Sequence, residues 1–183
     1  ESVAVRPIVK YGDPVLREVS QPVTGVNQEI KSLVSDMLDT LNQAQGLGLA
    51  AVQIGVVKRV FIVDLSAIDI NATLRVFINP EIVETRGQIE LEEGCLSFPG
   101  IYQSCTRPAW VKIRALDLDG RPFEMEAEGM TARAILHEYD HLEGKLFIDY
   151  LTPLKKRMLK GKLASITKGD VDTEYRILAP LRR

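Results

Sequence analysis

A chain of 183 residues is long enough to form one substantial hydrophobic core, and this length requires no second domain. Hydrophobic residues make up 45% and charged residues 26% of the sequence, which excludes a low-complexity or largely disordered chain. The formal net charge of -2 excludes a general electrostatic attraction to nucleic acid or to an anionic membrane, so we expect neither DNA nor a membrane as a partner.

The sequence also carries information about its compartment. It has no run of roughly 20 apolar residues, the length that a membrane helix needs, and its first residues lack the apolar block of a signal peptide. Cys95 and Cys105 are its only cysteines, which is too few for a disulfide framework in a chain of this size. We therefore expect a cytoplasmic protein with at least one free thiol. Because the chain begins at Glu1 rather than Met, a leader or tag can precede it.

The first half of the chain predicts a helix followed by strands. An amphipathic helix is indicated by apolar residues at 3.6-residue spacing, namely Val26, Ile30, Leu33, Val34, Met37, Leu38 and Leu41. A small-residue stretch, GLGLAAVQIG (46–55), comes next. The segments RVFIVDL (59–65) and RVFINPEIV (75–83) are rich in Val, Ile and Phe, which is typical of strands, and we expect them to pair.

The second half of the chain predicts a hairpin and then another helix. Segments 110–117 and 121–129 flank Asp119-Gly120, a strong hairpin signal because glycine tolerates a positive φ. A helix is expected from about Thr131 to Leu142, and Gly144 is expected to terminate it. No internal repeat and no long linker divides the sequence.

Together these elements predict an α+β fold, because strands occur both before and after a central helix. We expect antiparallel or mixed sheets packed around that helix, with the amphipathic helix near the N-terminus and a further helix near the C-terminus. Residues 1–183 are expected to form a single domain, in which about 153–183 make a C-terminal tail or helix.

The stretch HEYDHLEG (137–144) holds both histidines of the chain. On a helix, His137 and His141 lie one turn apart on the same face and can bind one cation, while Glu138 beside them can accept a proton from a bound water. This is the H-E-x-x-H arrangement of metal-dependent hydrolases. Two histidines spaced in this way with the glutamate between them would arise by chance in on the order of one such chain in a thousand.

A catalytic site of this kind typically has a third protein ligand. Glu143 is only two residues from His141 and points to the other side of the helix, so it is disfavoured. Cys95, Cys105 and more distant carboxylates remain as candidates. Gly94 and Pro99 imply a tight turn around Cys95, which favours that thiol, although a buried structural role explains either cysteine.

Three motifs in order, GLGLAAVQ (46–53), EGCLS (93–97) and HEYDH (137–141), resemble the signature motifs of the peptide deformylase family. The flanking segments YGDPVLR, FINP and HLEGKLFIDY are also similar to this family, so the resemblance extends to about Leu159. The chain is most similar to the bacterial type. This resemblance implies a single metallohydrolase domain.

The resemblance implies an enzyme that removes the N-terminal formyl group from nascent polypeptides beginning with formylmethionine and releases formate. It implies Cys95, His137 and His141 as the ligands of one divalent metal ion. Members of the family commonly work with Fe(II), the expected native ion, while Zn(II), Ni(II) or Co(II) can occupy the same site. A soft thiolate suits several of these ions and does not choose among them.

The resemblance also implies the roles of the remaining catalytic groups. Glu138 acts as the general base toward a metal-bound water that attacks the formyl carbonyl, and then passes the proton to the leaving amine. The Gln53 side-chain amide and the Leu96 backbone N–H stabilise the oxyanion. Loss of one such donor typically costs about 10²- to 10³-fold in rate.

The substrate is expected along the small-residue stretch. Gly46 and Gly48 let the backbone approach an extended ligand that adds as a strand, although a turn packed against a helix explains the same glycines. The resemblance places substrate-binding residues around the methionine pocket and the peptide, namely Leu47, Gly48, Leu91, Glu93, Gly94, Tyr102 and Ala134. Tyr102 is expected toward the mouth of the pocket.

Two further expectations concern charged residues. Arg107 is placed to pair with Asp140 and to join the Cys95 turn to the histidine helix, although a solvated carboxylate is an alternative. The C-terminal segment carries a basic cluster made of Lys155, Lys156, Arg157, Lys160, Lys162 and Lys168. Because family members act at the ribosome, this cluster is a candidate for docking on ribosomal RNA; a solvated helix face is the alternative.

Two other functions are compatible with part of the sequence. A general endopeptidase of the H-E-x-x-H type uses the same chemistry, but its downstream Glu or His ligand is not evident and EGCLS is left unexplained. A catalytically inert metal-binding or ribosome-associated module would have lost its base or its oxyanion donor, yet Glu138 and Gln53 are both present.

Overall fold

The computed structural model describes residues 4–178. Its α-helices are α1 (Gln28–Ala44), α2 (Gly129–Leu142), α3 (Pro153–Met158) and α4 (Lys160–Lys168). Its strands are β1 (Gly48–Ala50), β2 (Val60–Val63), β3 (Arg75–Arg86), β4 (Ile89–Gly94), β5 (Tyr102–Arg107), β6 (Trp110–Leu116) and β7 (Pro122–Glu128). Short 3₁₀ helices occur at Pro14–Arg17, Ala51–Ile54 and Phe147–Tyr150.

The strands form two sheets, and all of the strand pairs are antiparallel. Five strands are ordered β1-β2-β3-β6-β7, while β4 and β5 make a separate two-stranded sheet. This mixed α and β content with antiparallel sheets confirms the α+β class. The expected pairing of segments 59–65 and 75–83 is also confirmed, since β2 pairs with β3.

The hairpin predicted around Asp119-Gly120 is present. β6 and β7 pair from Trp110↔Glu128 to Leu116↔Pro122, and the Asp117 side chain accepts hydrogen bonds from two backbone N–H groups of the turn. Gly120 has a φ of 79°, the left-handed conformation for which glycine is suited.

Strand β3 contains Pro80, which cannot donate a hydrogen bond to a neighbouring strand. Its register with β6 shifts between Ile78 and Glu81, so the proline sits at an irregularity of the ladder. The preceding Asn79 has a φ of 49° and exchanges two hydrogen bonds with the Val23 backbone, at 2.7 and 2.8 Å. These hydrogen bonds connect the irregular part of β3 to the segment that leads into α1.

Helix α1 begins where the Asn27 side chain accepts a hydrogen bond from Ile30 N–H, and it covers one face of β1 and β2 with its apolar stripe. Helix α2 packs against β1, β2, β6 and β7, and most of its residues are buried. It begins two residues earlier than the predicted Thr131 and ends as expected at Leu142.

The C-terminal region begins as two short helices and then returns toward the N-terminus. After α4, the chain forms a parallel bridge between Ile177 and Ile8. The expected tail or helix over 153–183 is therefore helical only up to Lys168, and its last five residues lie outside the described range. Across residues 4–178 no helix combines the length and the apolar character needed to span a membrane.

A test of the sheet core uses Phe77 on β3. Its ring is fully buried and lies 4.6 Å from the Phe61 ring centroid and 5.7 Å from that of Phe123. We expect Phe77→Ala to lower the free energy of unfolding by about 3–5 kcal/mol, because it removes apolar contacts and leaves a cavity. Urea denaturation followed by circular dichroism measures this change.

The matched control is Val83→Ala on the same strand, where the side chain is 41% exposed. We expect this variant to stay within about 0.5 kcal/mol of the wild-type protein. Equal stability losses in the two variants would contradict the assignment of Phe77 to the core.

Candidate active site

Three side chains that can bind a metal ion converge between the two-stranded sheet and α2. Cys95, His137 and His141 each offer one ligand atom, and these atoms lie within 4.8 Å of one another. Cys95 Sγ lies 3.4 Å from His141 Nε2. The two histidines face the same side because they are one helical turn apart on α2.

The cysteine reaches this point because the chain turns sharply after β4. Phe98 N–H donates to the Cys95 carbonyl at 2.9 Å, which closes the turn. Gly94 is required before it: a Cβ at this position would lie 2.5 Å from the Tyr102 ring, closer than packed atoms can approach. Because Gly94 has no side chain, the Tyr102 ring can lie against the backbone next to Cys95.

Cys105, the other candidate sulfur, is used elsewhere. Its thiol is buried and donates a hydrogen bond to Glu93 Oε2 at 2.7 Å. Burial and the neighbouring Glu93 carboxylate raise the pKa of Cys105 to about 11, so the sulfur stays protonated at neutral pH. Glu143, already disfavoured by its position on the helix, pairs with Arg59 at 3.0 Å. Of these candidates, only Cys95 lies with the two histidines.

Glu93 is the centre of a buried polar cluster behind the histidines. Its two carboxylate oxygens accept hydrogen bonds from Arg107, Arg133, His137 and Cys105, at distances between 2.6 and 3.0 Å. Burial alone would raise the pKa of Glu93, but the hydrogen bonds and the charges of His137 and Arg107 outweigh it and hold that pKa well below its ordinary value. The carboxylate therefore stays ionised.

The contact between Glu93 and His137 determines which ring nitrogen faces the site. Glu93 Oε1 lies 2.7 Å from His137 Nδ1, so this nitrogen keeps its proton and Nε2 is the nitrogen that can bind a cation, losing a proton when it does so. Burial lowers the pKa of His137, but Cys95 and Glu93 outweigh it and raise that pKa well above its ordinary value, so His137 carries the positive charge that acts on Glu93. His141 is also buried, and burial together with the neighbouring His137 holds its pKa well below the ordinary value. Its imidazole is therefore neutral at pH 7, as a metal ligand must be.

The expected pair between Arg107 and Asp140 is confirmed, with Arg107 NH1 2.7 Å from Asp140 Oδ2. Tyr150 donates to the same carboxylate at 2.6 Å, and the Arg107 guanidinium lies over the Tyr150 ring. Since Arg107 is on β5 and Asp140 is on α2, this pair joins the two-stranded sheet to the helix that carries both histidines.

Glu138 is buried beside His137. Its Oε1 lies 3.8 Å from His137 Nε2, and its Oε2 has no hydrogen-bond partner within the described residues. Burial raises the pKa of Glu138 to about 7, so near neutral pH this carboxyl can both take up and release a proton. A Cβ on Gly48 would lie 2.9 Å from Glu138 Cγ, which explains the glycine as space for this side chain.

Gln53 is held by hydrogen bonds at both ends of its amide. Oε1 accepts from Ala50 N–H at 2.9 Å, and Nε2 donates to Ser97 Oγ at 3.0 Å and lies 3.5 Å from Cys95 Sγ. This pattern turns the NH₂ group toward the cysteine. Leu96, the other expected oxyanion donor, follows Cys95 directly in the turn, and its N–H has no acceptor within residues 4–178.

Cys95, Leu96, His137 and Glu138 line a cavity of about 560 Å³, whereas Gln53 and His141 are buried and are not part of its lining. Its lining includes most of the residues expected to bind substrate, namely Leu47, Gly48, Glu93, Gly94, Tyr102 and Ala134. Leu91 is not part of the lining, although it is partly buried and lies two residues before Glu93 on the same face of β4. Tyr102 is 65% exposed, in keeping with a position at the mouth.

A family model described as Polypeptide deformylase matches residues 5–157, which is most of the chain. The chain belongs to the polypeptide deformylase family. A curated relative, the peptide deformylase of Cytophaga hutchinsonii, is 45% identical over 183 residues, which cover 98% of this chain and 100% of that protein. Family membership makes the chain an enzyme and supports removal of N-terminal formyl groups as its reaction.

Solved structures of deformylases agree with this fold. The peptide deformylase of Legionella pneumophila has a TM-score of 0.85 and 42% identity, over 91% of this chain and 98% of that chain. The enzyme from Ehrlichia chaffeensis, solved in complex with actinonin, has a TM-score of 0.83 and 35% identity, over 93% of this chain and 100% of that chain.

Some residues of the site were not anticipated from sequence. Arg133 donates to both Glu93 and the Cys105 carbonyl, and residues 172–175 of the C-terminal segment line the cavity. The role of Glu93 as the partner of His137 was also missed. A buried arginine on the apolar face of α2 is a sequence signal for an internal carboxylate, whereas residues 172–175 carry no comparable local signal.

The Glu93 cluster leads to a stability test. We expect Glu93→Gln to lower the free energy of unfolding by about 3–5 kcal/mol, because within the described residues Arg133 loses its charge partner and Arg107 retains only Asp140. Glu92→Gln on the same strand is the matched control, since Glu92 is exposed, and it should cost less than about 0.5 kcal/mol. Urea denaturation of both variants measures the difference.

The pH dependence of unfolding provides a second measurement on the same variants. Because the pKa of Glu93 is lower in the folded state, its contribution is fully present above its unfolded pKa of about 4.3 and is lost as the pH falls toward the folded pKa. Wild type and Glu92→Gln should therefore lose stability more steeply below about pH 4 than Glu93→Gln. Parallel curves would contradict an ionised Glu93.

Proposed function

We propose that this chain hydrolyses the formyl amide of peptides that begin with N-formylmethionine, with one divalent metal ion held by Cys95, His137 and His141. The observation that carries the proposal is that Cys95, His137 and His141 offer ligand atoms within 4.8 Å of one another, with the Glu138 carboxyl beside His137 and the Gln53 amide beside Cys95. Each of these groups has a separate task in amide hydrolysis.

The donor set fits a divalent transition metal. It combines one sulfur with two imidazole nitrogens, and Glu93 holds His137 in the tautomer that leaves Nε2 available. When bound, such an ion supplies Lewis-acid chemistry that makes a water molecule acidic and polarises a carbonyl. Three protein ligands leave a position for water or substrate. By resemblance to the family we propose Fe(II) as the native ion, with Zn(II), Ni(II) and Co(II) as alternatives.

Glu138 is proposed to move the proton. Its unpartnered Oε2 takes a proton from the attacking water and delivers it to the amine that leaves as formate is released. The pKa of about 7 suits both halves of this transfer, since a general acid–base group works best when its pKa is near the working pH. Glu138 is buried yet lines the cavity, where a bound peptide would meet it.

Gln53 and Leu96 are proposed to stabilise the negative charge on the formyl oxygen. The Gln53 NH₂ group is aimed at the Cys95 side of the site by its bonds to Ala50 and Ser97, so it needs no reorganisation during the reaction. The Leu96 N–H lies in the same turn as the Cys95 ligand. The Gln53 amide and the Leu96 N–H therefore both adjoin Cys95.

The substrate is proposed to enter as an extended peptide beside β1. This strand is at the edge of the five-stranded sheet, so one side of its backbone is available to an added strand. Leu47, Gly48 and Ala134 line the cavity next to Glu138 and provide apolar surface for a methionine side chain. The proposed substrates are nascent polypeptides that begin with N-formylmethionine.

The principal test is formate release from formyl-Met-Ala-Ser. Protein is prepared without oxygen and loaded with Fe(II), Ni(II) or Zn(II), and Glu138→Gln is assayed beside it with its metal content measured. We expect kcat of the loaded variant to fall by about 10²- to 10⁴-fold, because a carboxamide cannot accept the proton. Glu143→Gln, at the end of the same helix, should stay within about twofold of the wild type.

Absence of formate release by the wild-type protein with any of these ions, despite a filled site, would contradict the proposed function. Full activity of metal-loaded Glu138→Gln would retain the function and exclude Glu138 as the base. The two results are separable because metal content is measured on each sample.

We further propose that residues 1–183 act as one catalytic domain in the cytoplasm, and that the basic cluster of α3 and α4 docks on the ribosome. The cluster is Lys155, Lys156, Arg157, Lys160, Lys162 and Lys168, and within residues 4–178 none of its members forms a salt bridge. Free cations on two consecutive helices suit the phosphates of ribosomal RNA.

Cosedimentation with ribosomes tests this docking. We expect binding that weakens steeply as salt is raised, and that is lost when Lys155, Lys156 and Arg157 are replaced by Gln, because phosphate contacts release counterions. The control replaces Lys31, Arg75 and Arg121, which are exposed elsewhere, with the same residue. Binding that ignores salt, or that both triple variants lose equally, would exclude the proposed surface.

A further inference from the structure

The last described segment of the chain returns from the end of α4 to the active site. Gly169 ends the helix in a left-handed backbone conformation, and residues 170–178 then run beside the N-terminal residues. Ile8 N–H donates to the Arg176 carbonyl at 2.9 Å, and Leu178 N–H donates to the Ile8 carbonyl at 2.8 Å. Ile8 is completely buried, so these two bonds hold the segment against the core.

The N-terminal residues that receive this segment are themselves bonded to the site. Val9 N–H donates to the Gln53 carbonyl at 2.7 Å, and Tyr11 N–H donates to the Ser97 carbonyl at 2.8 Å. The Ser97 hydroxyl donates to the Val9 carbonyl at 2.6 Å while accepting from Gln53. The C-terminal segment therefore supports the same residues that hold the proposed oxyanion donors.

The segment also forms part of the cavity. Asp172, Thr173, Glu174 and Tyr175 line it together with Cys95 and Glu138, although they lie beyond the residues 5–157 matched by the family model. The Tyr175 phenol donates to the Leu96 carbonyl at 2.8 Å. Burial and the neighbouring Cys95 raise the pKa of Tyr175, so the phenol keeps its proton and remains a donor at neutral pH.

This hydrogen bond acts on a sensitive part of the backbone. The Leu96 carbonyl and the Leu96 N–H belong to the two rigid peptide planes that meet at the Leu96 Cα. Fixing the first plane restricts the rotation that would redirect the second, and the second carries both the N–H and the link to Cys95. With Ser97 tied to Gln53 and Val9, Tyr175 completes the fixation of the turn.

We propose that Asp172–Tyr175 is a wall of the active site and that Tyr175 is a positioning residue for the Cys95–Ser97 turn. The inference rests on the proposed function, in which Cys95 is a metal ligand and the Leu96 N–H is an oxyanion donor. Tyr175 does not touch the reacting atoms. It acts through the backbone from which the ligand and the donor project.

The test compares Tyr175→Phe with Tyr11→Phe in the full-length protein loaded with Co(II). Tyr11 stacks on Phe98 with ring centroids 5.1 Å apart, and its hydroxyl has no hydrogen-bond partner within residues 4–178, so this variant removes a hydroxyl without removing a contact. For Tyr175→Phe we expect kcat with formyl-Met-Ala-Ser to fall about tenfold with little change in KM, the effect of losing one hydrogen bond that acts on the transition state. Tyr11→Phe should match the wild type.

Two readouts do not depend on turnover. The visible spectrum of Co(II) reports the geometry around the Cys95 sulfur, and we expect it to change in Tyr175→Phe alone. Amide hydrogen exchange in residues 94–98 should accelerate in that variant, while exchange in β2 stays as in the wild type. Wild-type kcat, spectrum and exchange in Tyr175→Phe would overturn the proposal, as would a loss of thermal stability without changes in kcat and spectrum.

Failure of this inference is distinguishable from failure of the proposed function. If the wild-type protein releases no formate, the function is wrong, and the spectrum and exchange still decide whether Tyr175 holds the turn. If the wild-type protein is active and Tyr175→Phe equals it in all three measurements, only the positioning role is wrong.

Discussion

The site depends on the buried carboxylate of Glu93. An ionised carboxylate without partners would cost several kcal/mol in the protein interior, so this residue is stable only when β4, β5 and α2 are packed together. Arg107 comes from β5, and Arg133 and His137 come from α2. The same contact that satisfies the carboxylate also orients the His137 ring. Packing of the sheet against the helix therefore also brings Cys95, His137 and His141 together.

A second buried carboxyl group behaves in the opposite way because its neighbours differ. Glu93 lies among two guanidinium groups and an imidazole, which hold its pKa below the ordinary value, whereas Glu138 has an unpartnered oxygen and a pKa raised to about 7 by burial. One carboxylate is thus charged at neutral pH and structural, and the other is suited to exchange a proton. Gly48 makes the second environment possible by leaving room for the Glu138 side chain.

The remaining parts of the site come from segments far apart along the chain. Cys95 lies between the two strands of the smaller sheet, and Gln53 follows the edge strand of the five-stranded sheet; Ser97 and the N-terminal Val9 connect them by hydrogen bonds. The C-terminal segment then covers the N-terminal one. Both ends of the described chain thereby support the turn that carries Cys95, which explains how a turn outside regular structure can hold this thiol in a defined direction.

The sequence by itself determined the local features: the amphipathic helix, the hairpin at Asp119-Gly120 and the pairing of two histidines on one helix face, because these depend on neighbours within a few residues. It also predicted the Arg107–Asp140 pair. Only the tertiary structure decided that Glu93 lies behind His137, that Leu91 is outside the cavity and that Tyr175 reaches Leu96, 79 residues away. Those contacts depend on strand register and on how sheet, helix and tail pack together, which no local pattern specifies.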